Sequence, residues 1–267
     1  MTLAMDPRLI AALLDWQAEL GADEFIGDVG VDRFADPVAA APAPTATAAV
    51  ARAVPTPVAA PPQVAAPDPV AEARALAAGA QTLARLAEVQ AAYPHCELRK
   101  GARNFVFCDG NPAARVMVLG EAPGDNEDRQ GKPFVGQAGQ LLDRMLAAIG
   151  LDRASPDPAQ AVYITNVLPW RPPGNRDPEP AEIAMMLPFV RRHIELAGPE
   201  VLVLMGNHAC QAMLGQRGIT KLRGQWTEAL GLPVLPMLHP AYLLRNPYAK
   251  REAWADLLAL QARLEQP

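Results

Sequence analysis

Val116-Met117-Val118-Leu119-Gly120-Glu121-Ala122-Pro123-Gly124 is a short apolar run that ends on a glycine and opens into a turn-rich, acidic loop. An uninterrupted apolar run of this length suits a strand buried on both faces. Comparable runs recur at 162–165, 201–205 and 234–237. Asn166 and Gly206 follow the second and third at once, and Leu238-His239-Pro240 follows the fourth. Helical spacing of apolar residues occupies 137–149, 180–197, 207–214 and 248–264. Buried strands alternating with helices predict an α/β fold: a three-layer α/β/α sandwich around a central, mainly parallel four-stranded sheet. Ligands of such sheets sit beyond the carboxyl ends of the strands, so the segments after these runs are where chemistry is expected.

Outward from this core the chain changes character. Residues 1–36 contain Leu9, Ile10, Leu13, Leu14 and Leu20 near helical spacing, with Asp6 as a cap and Pro7 in the first turn. They read as an amphipathic helical segment; without a basic leading region they do not read as a signal peptide. Residues 37–70 are almost entirely Ala, Pro, Val and Thr and are expected to form a disordered linker. Residues 71–94 form a helical lead-in, and 95–267 hold the α/β pattern. There is no run of eighteen apolar residues, so no membrane span or membrane partner is expected, and the expected compartment is the cytoplasm. Residues 1–94 carry 11 acidic and 5 basic side chains, whereas 95–267 carry 18 and 19, so the net charge of −5 arises from the N-terminal part. The α/β region is nearly neutral, and nucleic-acid binding there requires a local basic patch. Cys96, Cys108 and Cys210 form no CxxC pair and suggest no disulfide framework.

Three of the four strand ends carry distinctive segments. The first runs from Gly120 through Glu121, Gly124 and Glu127 to Lys132-Pro133-Phe134-Val135-Gly136. The second is Ile164-Thr165-Asn166, followed by Arg171-Pro172-Pro173-Gly174-Asn175-Arg176-Asp177-Pro178. The last is His239-Pro240-Ala241-Tyr242-Leu243-Leu244-Arg245. The glycines of the first are not a P-loop, since no Gly-Lys-Ser/Thr follows. In order and spacing these segments resemble the family 4 uracil-DNA glycosylases, over roughly residues 96–260. The resemblance implies a monofunctional glycosylase that hydrolyses the N-glycosidic bond of uracil in DNA and leaves an abasic site. It also implies the same three-layer fold. Uracil-containing DNA, single- or double-stranded, is the expected partner, and the chain is expected to act as a monomer.

The residues suit that role chemically. A base inside a duplex must be rotated out into a pocket. Phe134 offers a stacking surface, worth about 1–3 kcal/mol per base; its structural alternative is ordinary core. Asn166 can read uracil's edge, its NH2 donating to O4 and its carbonyl accepting from N3–H, or it can simply cap a turn. Gly120 allows close approach to the base. Cleavage leaves negative charge on uracil, and a neutral His239 can donate an N–H to O2. A carboxylate must orient the attacking water; Glu121 is the first choice and Glu127 the second, and either could instead hold backbone N–H groups. Leu243 and Leu244 can wedge into the gap left by the flipped nucleotide. Arg245, Lys132, Arg171 and Arg176 are candidate phosphate contacts. His95, His193 and His208 lack a motif and read as ordinary structural or surface residues.

The resemblance also carries a discrepancy. The family typically binds an iron–sulfur cluster through four cysteines. Here Cys96 fits one of those positions, while Tyr93, Trp170 and Met186 stand at the other three. Neither Met nor Trp is a plausible substitute for a thiolate in such a site, so no cofactor is expected and these side chains are expected to fill the cluster's place. A basic, His-containing insertion that lets some relatives capture uracil-DNA covalently is missing, which predicts turnover. The competing expectations are a glycosylase of broader deaminated-base range, a non-catalytic DNA-binding module of the same fold, and an enzyme of free nucleosides.

Overall fold

The computed structural model describes residues 68–266. The expected helix of 1–36 and the linker up to residue 67 lie outside the described residues. The linker's expected end at residue 70 is corrected, because helix α1 (Pro69–Gly79) has already begun there. Asp68 caps it, its carboxylate accepting from Val70 N at 2.9 Å, and Pro69 occupies the first turn. The lead-in is two helices, α1 and α2 (Leu83–Ala92), the second capped by Thr82.

The helices α3 (Leu98–Gly101), α4 (Asp125–Gln130), α5 (Gln137–Ala147), α6 (Pro180–Ala197), α7 (Asn207–Leu214), α8 (Ile219–Leu222), α9 (Pro240–Arg245) and α10 (Lys250–Leu264) follow in chain order. They are interleaved with strands β1 (Asp109–Gly110), β2 (Val116–Gly120), β3 (Val162–Asn166), β4 (Val201–Met205), β5 (Thr227–Ala229) and β6 (Leu232–Met237). The sheet order is β1-β3-β2-β4-β6-β5. The expected four strands are the parallel centre, β3-β2-β4-β6. The expected strand count is corrected to six: β1 and β5 add antiparallel edges of two and three residues, too short and too polar to leave an alternating pattern.

Two apolar cores cover the two faces of the sheet. Met117, Leu119, Tyr163, Leu202 and Leu204 point to one, which is packed by α1, α2, α6 and α7. Val116, Val118, Ile164, Val203 and Met205 point to the other, which is packed by α5, α9 and α10. Alternate residues of one strand thus serve opposite layers, which is why the runs are apolar at every position. Among the described residues no helix is long and apolar enough to cross a membrane.

Candidate active site

The carboxyl ends of the four central strands share one cavity of about 580 Å³, lined by Glu121, Phe134, Asn166, Gly206 and His239 among others. It lies in the size range of small-molecule pockets, about 300–1,000 Å³. The register explains the convergence. Gly120 pairs with Asn166 across β2 and β3, and Gly206 N donates to Met237 O at 3.0 Å where β4 meets β6.

Gly120 is fixed by space. A Cβ there would stand 2.3 Å from Asn166 Oδ1 and 2.4 Å from Phe134 Cε2, so any side chain would collide with both. Phe134 is buried, with φ of 52°, a left-handed backbone unusual for a bulky residue. Its ring lies 5.4 Å from that of His239 at an interplanar angle of 29°. Asn166 is buried at the end of β3, and its Oδ1 is sealed from solvent without a hydrogen-bond partner. An unpaired buried acceptor costs about 1–3 kcal/mol, a cost that a donor reaching it would offset.

His239 caps α9. Its Nδ1 accepts from Ala241 N at 3.1 Å, which leaves the proton on Nε2. Burial is the largest cause holding its pKa below the ordinary histidine value; Arg245 and His208 add to that, while Glu121 and Glu127 oppose it. The ring is therefore a neutral N–H donor at physiological pH.

The two candidate carboxylates have different surroundings. Glu127 Oε1 accepts from Val135 N at 2.9 Å and Gly136 N at 2.7 Å, and Oε2 accepts from Gly124 N at 3.2 Å. It braces the loop that carries Phe134. Glu121 Oε2 meets His208 Nδ1 at 2.5 Å, and no bond to its Oε1 is present among the described residues.

Two expectations, for Leu243 and His208, are corrected here, and two phosphate candidates, Lys132 and Arg171, lie outside the cavity lining. Leu243 is buried in the core against α5 and α10, so it cannot wedge into DNA; only Leu244 is exposed. Lys132 pairs with Asp109 at 3.2 Å and does not line the cavity. Arg171 is likewise outside the lining and is held by Asp125 Oδ1 and Asn175 Oδ1, both at 2.7 Å. His208 is no ordinary residue, since it is buried in the cavity wall. Arg176 does line the cavity, but Glu182 binds it bidentately at 3.0 and 2.6 Å. Arg245 lines the cavity and makes no ion pair among the described residues. His95, by contrast, pairs with Glu72, and His193 bonds the Tyr163 hydroxyl at 2.8 Å.

Sequence reasoning also passed over Asn175 and Asp177 as site residues, although both lie in the quoted second segment and line the cavity. Glu121, Asp177 and His208 group closely enough to suggest a cation site. A cation is already there: Arg217 Nη2 stands 2.8 Å from His208 Nε2.

Tyr93, Cys96, Trp170 and Met186 are all buried in one core. The Tyr93 hydroxyl donates to Pro69 O at 2.7 Å, and its ring meets Phe189 edge-on at 5.4 Å. Gln90 Nε2 donates to Met186 Sδ at 3.8 Å, and Trp170 packs on Phe105.

Comparison with known proteins agrees with this arrangement. The description of the uracil DNA glycosylase superfamily matches residues 107–258. A type-4 uracil-DNA glycosylase of Sulfurisphaera tokodaii is 40% identical over 166 residues, covering 58% of this chain and 73% of the relative. One of Thermotoga maritima is 41% identical over 154 residues, covering 57% and 77%. A type-5 uracil-DNA glycosylase of Pyrobaculum aerophilum is 32% identical over 149 residues, covering 51% and 66%. The matched span runs from the strand edge before β2 to the middle of α10 and so takes in every strand end that walls the cavity; the chain belongs to the uracil DNA glycosylase superfamily.

Proposed function

We propose that this protein excises uracil from DNA in repair, taking the extruded base into the cavity and hydrolysing its N-glycosidic bond to leave an abasic site. Asn166, which lines the cavity beside the Phe134 ring and whose Oδ1 has no partner within the protein, carries this reading. Uracil offers N3–H to that oxygen and O4 to the amide NH2, while cytosine reverses both. Phe134 stacks on the base. As the C1′–N1 bond breaks, its electron pair leaves with uracil and spreads over O2 and O4. The His239 Nε2–H donates to O2 and stabilises that anion. Water forms the new bond to C1′, and Glu121 orients it and accepts its proton. Glu127 is fully engaged with backbone N–H groups and braces the loop.

Leu244 fills the vacated stack, and Arg245 meets the flanking phosphate. Lys132, Arg171 and Arg176 are already neutralised by acidic partners and are weaker phosphate contacts. A cluster of the [4Fe–4S] type does not fit the residues at the corresponding positions. It needs thiolates, and only Cys96 has a thiol, which burial pushes up to a pKa of about 11. The reaction above uses no such group.

The test is a single-uracil oligonucleotide incubated with the protein in chelator, then cleaved with alkali. Scission at the uracil is expected on single- and double-stranded substrate. No scission would favour a binding module, and equal scission at inosine a broader base range.

A further inference from the structure

Glu121 does not stand alone. His208, the second residue of α7, approaches it from the neighbouring strand end, with Nδ1 2.5 Å from Glu121 Oε2. The other ring nitrogen is 2.8 Å from Arg217 Nη2. A guanidinium can only donate, so Nε2 must be an acceptor and the ring proton must sit on Nδ1. That is the tautomer able to donate to a carboxylate. Asp177 lies 3.8 Å from Nε2, too far to take that place.

The chain holds Arg217 in position by a second device. Gly215 ends α7 in the left-handed conformation, and Gly218 turns the chain again with φ of 101°. Between them the loop carries Arg217 back over the start of α7. Asn207 ties it there, its Oδ1 accepting from Gly218 N at 3.0 Å and Ile219 N at 2.9 Å. The residue next to His208 thus secures the loop that supplies its partner.

We propose that His208 is a positioning residue for bond hydrolysis, held by Arg217 as the Nδ1–H tautomer so that it donates to Glu121 Oε2 and leaves Oε1 turned to the water. This rests on the reading of Glu121 as the water-orienting group. His208 acts through Glu121 and does not touch the substrate. The other titratable or charged groups around the cavity are Glu127, Asp177, His239, Tyr242, Arg176 and Arg245.

The experiment compares single-turnover excision from a single-uracil oligonucleotide, from pH 5 to 9, by the full chain and by His208→Ala, His208→Asn and Arg217→Met. His208→Ala should lose about ten-fold or more in rate at neutral pH with oligonucleotide affinity unchanged. Its acidic limb should move to higher pH, because a carboxylate that loses a donor is more easily protonated. His208→Asn places an amide N–H near the Nδ1 position and should restore most of the rate and the limb. Arg217→Met frees the tautomer and should shift the limb in the same direction by less. It carries the test if His208→Ala does not fold by thermal melting. Unchanged rate and limb in the folded variants, or equal loss in the Ala and Asn variants, would overturn the proposal. If the wild-type chain excises no uracil, it is the proposed function that fails.

Discussion

Arg153 grips the backbone of Phe134: its Nη1 donates to Pro133 O and its Nη2 to Phe134 O, each at 2.9 Å. Asp143 and Asp109 hold the guanidinium in turn, and its side chain is largely buried. The grip matters because φ at Phe134 is positive, a conformation that persists only when its surroundings enforce it. Gly139 allows the turn, since a Cβ there would lie 1.8 Å from Phe134 O. Lysine cannot reproduce the two-pronged donation. Arg153→Lys should therefore slow single-turnover uracil excision by about ten-fold or more through displacement of the ring. Thermal melting and excision assayed together check this; full activity in a folded variant would separate the grip from the ring.

Asn166 should behave as the base-reading group. Asn166→Asp replaces the donor for O4 with an acceptor, so uracil excision should fall by about a hundred-fold. Cytosine excision should rise relative to uracil. Paired oligonucleotides bearing one uracil or one cytosine measure both, and an unchanged ratio would remove Asn166 from base reading.

Leu243 and Leu244 are adjacent yet should fail differently. Leu243 is buried against α5 and α10, and Leu243→Ala should cost about 2–5 kcal/mol of stability. Leu244 is exposed, so Leu244→Ala should leave the melting temperature nearly unchanged. It should slow excision from duplex more than from single-stranded DNA, where no stack needs filling. Denaturation curves and the two substrates distinguish the outcomes.

Acid should weaken the fold through its buried histidines. Burial pushes the pKa of His193 down to about 3, and that of His239 is also lowered. In the unfolded chain both should titrate near 6.5. Between those values the unfolded state binds more protons, so stability rises with pH. The contribution is complete above about pH 6.5 and is lost as pH falls toward the folded value, at roughly 1 kcal/mol per unit for His193, with His239 adding in the same direction. Urea midpoints between pH 7 and 4 should fall accordingly, and His193→Gln should flatten part of that slope.

The parallel strands were legible because two-sided burial makes them apolar at every position, and the loops because Gly, Pro and Asn cluster after them. The edge strands were not, since Asp109–Gly110 and Thr227–Ala229 owe their form to a neighbour and not to their own residues. The role of His208 was hidden because its partner lies 87 positions away and nothing local marks it. The different fates of Leu243 and Leu244 left no signal either: they stand three and four residues after Pro240, and helical spacing places both near its face. The strain at Phe134 had no local signature, because the Arg153 that enforces it lies 19 residues away.

The row of strand ends works as a ruler. From β3 through β2 and β4 to β6 there are three intervals, each set by backbone hydrogen bonding, so the frame from Asn166 to His239 is about 14 Å wide. Point substitutions leave that pitch untouched. A variant accepting a larger base would have to gain room from the side chains hung on the frame, with Phe134 and the segment that carries it the first to redraw.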